Sequence, residues 1–179
     1  MTSTLEAELR ELLRPHGGPC VAGIGTFDGV HAGHRRVIGA ARERAREAGL
    51  RAVAVTFSPR PDVALRPDEA LPDLCSLEER VERLVRAGAG DVVVIPFTAE
   101  LAEMSAVVFV DLLRDELGVR ELCVGEDFAL GRNRAADVPA LRELGLTVIC
   151  PPLVLAEDGG KLSSSTLRRR AAVAGVGAR

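Results

Sequence analysis

Short apolar runs alternate with amphipathic segments along most of the chain, and this alternation is the strongest constraint on its fold. The five runs have lengths typical of buried strands and cover residues 20–25, 51–57, 91–97, 121–125 and 146–150. The segments between them carry apolar residues at helical spacing, and strand–helix–strand units of this length favour parallel pairing with a right-handed crossover. We therefore predict an α/β protein with a doubly wound, mostly parallel, five-stranded sheet.

The domain organisation predicted for the 179 residues is a single domain that spans the whole chain. Capping boxes that start at Ser3 and Ser76 predict two helix N-termini. Residues 1–19 are interpreted as an N-terminal helix and its lead-in. The Ala/Gly-rich residues 171–179 are interpreted as a flexible tail.

The composition excludes several classes of partner. The formal net charge of −3 argues against an electrostatic grip on nucleic acid. No apolar run reaches membrane length and the N-terminus does not resemble a signal peptide, so no membrane partner is expected. The four cysteines form no C-x-x-C pair, which is typical of reduced thiols in a cytoplasmic protein. Because the chain lacks Trp and Tyr, aromatic contacts with a ligand must come from its five phenylalanines.

The stretch from Gly25 to His34, GTFDGVHAGH, connects the first predicted strand to the helix that follows it. Its small residues suit a tight turn, and His31 and His34 fall one helical turn apart at the N-terminal end of that helix. Unbonded backbone N–H groups at such an end attract phosphate, although the helix dipole adds only about 0.3–2 kcal/mol. The two imidazoles are therefore candidates for additional groups that hold a triphosphate.

Other interpretations of this stretch are weaker. Its glycines do not give the G-x-G-x-x-G pattern of a dinucleotide loop, and the lysine of a P-loop is absent. No cysteine or third histidine accompanies the pair, so no metal-ligating residues are predicted here. A structural turn without a ligand is the alternative that the residues alone leave open.

At this point the sequence resembles a known family. His31-Ala-Gly-His34 is similar to the H-x-G-H signature of the nucleotidyltransferase superfamily, and the longer stretch resembles bacterial FAD synthetases, the FMN adenylyltransferase module of bifunctional riboflavin kinases. The resemblance implies a Rossmann-like nucleotidyltransferase fold. It also implies in-line attack of the FMN phosphate on the α-phosphorus of ATP, with Mg²⁺ accompanying ATP and no covalent enzyme intermediate.

A second stretch, K-L-S-S-S-T-L-R from Lys161 to Arg168, resembles the second phosphate motif of the same family. Read alone, it could be a capped surface helix. The resemblance implies that it clamps the phosphates opposite the histidines. The catalytic residues implied are His31, His34, Lys161, Ser164 and Arg168. The nucleotide-binding residues implied are Gly25, Thr26, Phe27, Asp28, Gly33, Asp127, Phe128, Ser163 and Ser165.

Two loops depart from the family pattern. Arg60 stands where the family usually has the histidine of Thr-Phe-x-Pro-His-Pro, and its planar cation could hold a phosphate but could not shuttle protons. In the loop that resembles Gly-x-Asp/Asn-Phe-x-Phe-Gly-x-x-Arg, Leu130 replaces an aromatic residue, which removes about 0.5–1.5 kcal/mol of stacking. The flavin- or acceptor-binding residues implied are Phe57, Pro59, Arg60 and Arg134.

The expected function is FMN adenylyltransferase, which joins FMN and ATP to give FAD and pyrophosphate. The departures at Arg60 and Leu130 keep open an enzyme that uses ATP or CTP with a modified flavin or another small phosphorylated acceptor. A flavin- or nucleotide-binding module without turnover is the alternative from another class. The bifunctional enzymes continue into a kinase domain whereas this chain ends soon after its last motif, so we expect no riboflavin phosphorylation.

Overall fold

The computed structural model describes residues 3–152 and 166–169, so the predicted tail lies outside the described residues. The helices are α1 (Thr4–Leu13), α2 (Ala32–Ala48), α3 (Pro61–Leu65), α4 (Leu77–Ala87), α5 (Ala99–Ala102), α6 (Ala106–Leu112) and α7 (Val138–Glu143). The strands are β1 (Cys20–Ile24), β2 (Arg51–Ser58), β3 (Asp91–Pro96), β4 (Val119–Cys123), β5 (Ala129–Leu130), β6 (Ala136–Asp137) and β7 (Thr147–Ile149). Residues 166–169 are helical.

The central sheet has five strands in the order β3-β2-β1-β4-β7, and every neighbouring pair is parallel. This confirms the predicted α/β class with a five-stranded sheet. Strands β5 and β6 form a separate antiparallel ribbon. The ribbon was not predicted because each of its strands has only two residues, which is too short to show an alternating pattern.

Helices cover both faces of the sheet, and strand β1 shows how the sequence divides between them. Cys20 and Ile24 pack into the core that contains α1 and α6, whereas Val21 packs into the core that contains α2 and α4. Gly23 also faces α2, where an added Cβ would lie 2.8 Å from the Cδ1 atom of Ile38. A side chain at this position would therefore require the Ile38 side chain, on the helix that carries His34, to shift.

The helix N-termini agree with the capping patterns in the sequence. Ser76 and Glu79 form a complete capping box at the start of α4, with both reciprocal hydrogen bonds present. At α1 the Ser3 hydroxyl accepts a hydrogen bond from the Glu6 backbone N–H, whereas the Glu6 carboxylate binds Arg10. Both predicted helices thus begin at the expected residues.

The order of the strands determines where a ligand can bind. From β1 the chain proceeds outward through β2 and β3, whereas β4 and β7 lie on the other side of β1. In open parallel sheets such a reversal leaves a crevice at the carboxyl ends of the two central strands. The loops that follow β1 and β4 meet at this crevice.

Two features bear on the environment of the chain. Within residues 3–152 and 166–169, no helix combines the length and apolar character needed to span a bilayer. The four cysteines are unbonded to each other, and Cys20, Cys75 and Cys123 are buried.

Candidate active site

The loop after β1 has an unusual backbone. Phe27, which precedes the 3₁₀ turn Asp28–Val30, and Val30, which ends it, both adopt left-handed conformations, with φ of 52° and 47°. Such values are rare for β-branched residues, and each left-handed non-glycine residue costs on the order of 1–3 kcal/mol. The strained turn directs the chain so that His31 is the N-cap of α2 and His34 lies in its first turn.

The two histidine rings stack on each other at this helix end. Their centroids are 3.6 Å apart with planes inclined by 24°, and Phe27 packs edge-on against His34 at 5.3 Å. Both ring nitrogens of His31 and the Nδ1 atom of His34 are buried and have no hydrogen-bond partner among the described residues. Buried polar atoms are rarely left unpaired, so these nitrogens indicate a site shaped for a ligand.

Burial also fixes the charge of the pair. It lowers the pKa of His31 to about 4, with a further lowering from Arg35 that Asp28 opposes. The pKa of His34 falls to about 2, first through burial and then through the positive charges of His31, Arg80 and Arg168. Both rings are consequently neutral at pH 7, and each offers one N–H donor and one acceptor nitrogen.

Asp28 supports this site from behind. Its side chain is completely buried, its Oδ1 atom accepts a hydrogen bond of 2.9 Å from the Leu74 backbone N–H, and its Oδ2 atom lies 2.8 Å from Arg168 Nη1. Neither Asp28 nor the equally buried Phe27 lines the cavity, which differs from the expectation that they contact the nucleotide. Instead, Asp28 orients an arginine that does line the cavity.

Arg60 occupies a different environment from the one expected of an acceptor ligand. Its buried guanidinium donates two hydrogen bonds of 3.0 Å to the carboxylate of Asp62, one of 2.6 Å to the Leu71 carbonyl and one to Asp73. Its Nη1 atom also lies 3.5 Å from Asp28 Oδ2. The donors are directed at protein groups, and Arg60 and Pro59 do not line the cavity.

A cavity of about 850 Å³ opens at the carboxyl edge of the sheet. Its polar side includes Thr26, His34 and Arg168, charged residues such as Asp62, Glu103 and Arg134 also line it, and much of the remaining lining is apolar. The apolar wall consists of Phe57, Phe97, Leu101, Met104, Phe109, Phe128 and Leu130. Four of the five phenylalanines thus line the cavity, and Phe27 is the one that packs on His34.

The structure brings many of the predicted site residues to one place. Those that line the cavity are Gly25, Thr26, His34, Phe57, Asp127, Phe128, Arg134 and Arg168. His31 contacts the cavity wall through its stack with His34, whereas Gly33 lies in the first turn of α2 without lining the cavity. Lys161, Ser163, Ser164 and Ser165 lie outside the described residues.

Arg134 folds back over its own loop at the mouth of the cavity. Its Nη2 atom donates a hydrogen bond of 2.7 Å to the backbone carbonyl of Asp127, and its backbone is left-handed with φ of 57°. Part of its hydrogen-bonding capacity is therefore used to hold the loop that follows β4.

Sequence reasoning missed Arg80, a buried arginine on α4. Its Nη1 atom donates a hydrogen bond of 2.8 Å to the carbonyl of Phe57, and its exposed fraction is 2%. The signal was present in the sequence, because Arg80 lies at helical spacing between Leu77 and Leu84 on the inward-facing side of α4.

The described residues contain no group of three or more side chains that could hold a metal ion. The aspartates near the histidines are engaged by arginines instead. Arg60 hydrogen-bonds Asp62 and so lowers the pKa of that carboxyl group. A protein-built metal cage therefore does not fit this part of the chain.

The stacked histidines at a strand-to-helix junction, with an arginine beside the same cavity, give this α/β protein the arrangement expected of the H-x-G-H class. A family model described as FAD synthetase matches residues 14–166. The chain belongs to the FAD synthetase family.

Known proteins resemble this chain over most of its length. A bifunctional riboflavin kinase/FMN adenylyltransferase from Pseudomonas fluorescens is 36% identical over 166 residues, which cover 90% of this chain and 53% of the relative. A putative enzyme of the same description from Geobacillus thermodenitrificans is 36% identical over 148 residues, covering 83% and 80% respectively. The chain thus spans about half the length of the Pseudomonas relative.

One solved structure has the same fold. A crystal structure described as a macrolide-efflux protein from Streptococcus pneumoniae superposes with a TM-score of 0.76 at 28% sequence identity. The alignment covers 86% of this chain and 51% of that chain. The fold of this chain, which the sequence predicted to be Rossmann-like, is therefore shared with a solved structure.

Proposed function

We propose that this chain is an FMN adenylyltransferase that transfers AMP from ATP to FMN, giving FAD and pyrophosphate. The observation that carries the proposal is the stacked pair His31 and His34 at the N-terminus of α2, beside Arg168 and a cavity with an apolar wall. Both ring nitrogens of His31 and the Nδ1 atom of His34 are buried and have no partner in the described part of the chain. Membership of the FAD synthetase family and the names of the relatives support the same assignment.

The chemistry follows from the groups at the polar side of the cavity. An oxygen of the FMN phosphate forms a bond to the α-phosphorus of ATP while the bond from that phosphorus to the pyrophosphate oxygen breaks. The neutral N–H groups of the two histidines and the backbone N–H groups at the start of α2 stabilise the charge that develops on the transferred phosphoryl group. Arg168, which Asp28 holds in place, adds a positive charge on the same side.

Further donors are assigned to the second phosphate motif. We assign Lys161, Ser163, Ser164 and Ser165 to the phosphates on the basis of their resemblance to the family motif and their proximity in sequence to Arg168. In this proposal Mg²⁺ would accompany ATP and offset part of the phosphate charge, and it would need few protein ligands because Mg²⁺ keeps several waters.

The apolar wall suits the flavin ring system. A volume of about 850 Å³ lies within the range of about 300–1,000 Å³ found for small-molecule sites. Phe57, Phe97 and Phe128 offer faces and edges for a planar aromatic ligand, and Phe57 already packs edge-on against Phe97 with centroids 5.7 Å apart.

A different phosphorylated acceptor is the second candidate, and Leu130 in the cavity wall is the observation that favours it. A leucine in place of an aromatic residue lowers the preference for a large flat ring. Comparing FMN, a modified flavin and glycerol phosphate as acceptors, each with ATP and with CTP, separates the two candidates through the rate of pyrophosphate release.

The proposal is tested by the variant His34→Ala. We expect FAD formation from FMN and ATP to fall by about 10²–10³-fold, because one preorganised donor at the reacting centre is removed. The control is His16→Ala, since His16 binds Asp91 at 2.7 Å at the opposite, amino-terminal edge of the sheet and its loss should leave the rate unchanged. Turnover of His34→Ala close to the wild-type rate would contradict the assignment.

A further inference from the structure

Arg80 is a buried cation that has no counter-charge among the residues that the structure describes. Its exposed fraction is 2%. Among those residues its side chain donates a hydrogen bond to the neutral carbonyl of Phe57, and its buried Nε atom has no partner. Within the described residues no carboxylate lies in ion-pair distance of it. Buried charges are normally paired because the loss of hydration is costly, so this arrangement requires an explanation.

Arg60, the other deeply buried arginine, shows how a buried positive charge is usually balanced by carboxylates. It is 1% exposed and lies within 4 Å of carboxylates of Asp28, Asp62 and Asp73. The two arginines are therefore buried to a similar extent, but of the two only Arg60 has its charge balanced by carboxylates within residues 3–152 and 166–169. The contrast indicates that the counter-charge for Arg80 comes from outside the described chain.

The location of Arg80 identifies the kind of group that can supply this charge. Its hydrogen bond holds the carbonyl of Phe57, where β2 reaches the cavity, and its positive charge acts on the ring of His34. Phe57 and His34 both line the cavity. Arg80 thus binds the backbone of one cavity-lining residue, Phe57, and its charge acts on a second, His34, which belongs to the polar side where an anionic ligand would bind.

We propose that Arg80 is a positioning residue of the phosphate site. Its positive charge, which has no carboxylate partner among the described residues, acts on His34 and is neutralised by the polyphosphate of the bound nucleotide. The proposal rests on the proposed function for the identity of the ligand, although it requires only that the site binds a polyphosphate. Arg80 acts through His34 and Phe57 and does not itself line the cavity.

The proposal makes a prediction that separates binding from stability. An unbalanced buried charge destabilises the empty protein, so its replacement by the similarly long, neutral side chain in Arg80→Met should leave the melting temperature unchanged or raise it. The same change should weaken the binding of ATP and of inorganic pyrophosphate by about tenfold or more. A purely structural arginine would show the opposite combination, a lower melting temperature with normal anion binding.

The experiment measures the dissociation constants of ATP and of inorganic pyrophosphate by calorimetry for the whole chain, without any need for turnover. Arg80→Lys keeps the charge and should restore most of the affinity lost in Arg80→Met. The control is Arg86→Met on the same helix, because Arg86 is exposed and pairs with Glu82. The affinity of this variant for ATP and for pyrophosphate should match that of the wild type. Wild-type affinity in Arg80→Met, or equal losses in the Met and Lys variants, overturns the proposal.

A measurement on the unaltered protein covers the case in which Arg80→Met does not fold. The Nε–H resonance of Arg80 should shift and exchange more slowly with solvent when pyrophosphate is added, whereas a resonance that does not respond overturns the proposal. If the wild type binds pyrophosphate but forms no FAD, the proposed function fails while the role of Arg80 is still tested by these readouts.

Discussion

Asp28 connects three parts of the chain that lie far apart in sequence. Its buried carboxylate accepts hydrogen bonds from Arg168 and from the Leu74 backbone and lies beside Arg60. The orientation of Arg168 toward the cavity therefore depends on a residue in the loop that follows β1.

Replacing Asp28 by asparagine removes the charge while keeping the shape of the side chain. Removing one partner of a buried ion pair costs about 3–5 kcal/mol, so we expect the free energy of unfolding to fall by an amount of this order. FAD formation should also fall, because Arg168 loses its anchor. Urea unfolding and the rate of FAD formation measure the two effects.

The matched control for this variant is Asp115→Asn. Asp115 is exposed, and its closest cation is Arg114 at 3.9 Å, near the limit of an ion pair. Surface pairs of this kind contribute little, so its free energy of unfolding should match the wild type. Similar losses for the two variants would show that Asp28 has no special role.

Individual site residues were predictable from the sequence only in part. The position of His31 and His34 at a helix N-terminus followed from the strand-to-helix pattern. The buried cluster around Arg60 could not be predicted, because its members are brought together by loop geometry that periodicity does not encode. The family resemblance had implied that Arg60 contacts the acceptor, whereas the structure directs its donors to aspartates.

At the scale of elements, helix α4 carries both the capping box that the sequence predicted and a residue, Arg80, beside the candidate site. Its complete capping box fixes the first turn, and Arg80 follows four residues after Ser76 on the inward face. The five main strands were predicted to within about two residues because their apolar runs are long. Helices α3 and α5, with five and four residues, were too short to give a recognisable pattern.

The capping box provides a test at this scale. Ser76→Ala removes the hydroxyl that accepts a hydrogen bond of 3.2 Å from the Glu79 backbone N–H, so the free energy of unfolding should fall by about 1 kcal/mol. Glu79→Gln keeps an oxygen that can accept the reciprocal bond and should have a smaller effect. Equal losses in the two variants, measured by urea unfolding, would contradict this account of the helix terminus.

For the whole molecule, the buried neutral histidines couple stability to pH. The pKa values of His31 and His34 in the folded protein are about 4 and about 2, against about 6.5 in an unfolded chain. As the pH falls below about 6.5, the unfolded state therefore takes up protons that the folded state does not. The contribution of the two histidines to the free energy of unfolding is therefore fully present above this pH and decreases as the solution becomes more acidic.

Thermal unfolding between pH 7.5 and pH 5 measures this dependence. Each buried histidine contributes a slope of up to about 1.4 kcal/mol per pH unit once its unfolded form is protonated. His34→Gln removes one of the two titrating groups and should therefore show a shallower loss of stability than the wild type. Parallel curves for the two proteins would show that His34 is not held neutral by burial.

The topology explains why the general location of the site was predictable while its walls were not. Parallel strands place all their carboxyl ends at one edge, so the loops after β1, β2 and β4 meet there. The strand order and the contribution of four phenylalanines to one wall depend on packing between distant segments. Such contacts are visible only once the chain is folded.

The hydrogen bonds of Arg60 to Asp62, Leu71 and Asp73 fasten both ends of one surface segment at a single point. Residues between those ends, among them Leu65 and Ala70, form part of the cavity wall but contribute nothing to the sheet. The segment is therefore held at its two ends, so insertions or deletions between them would change the size of the cavity while the sheet and the histidine pair stay the same.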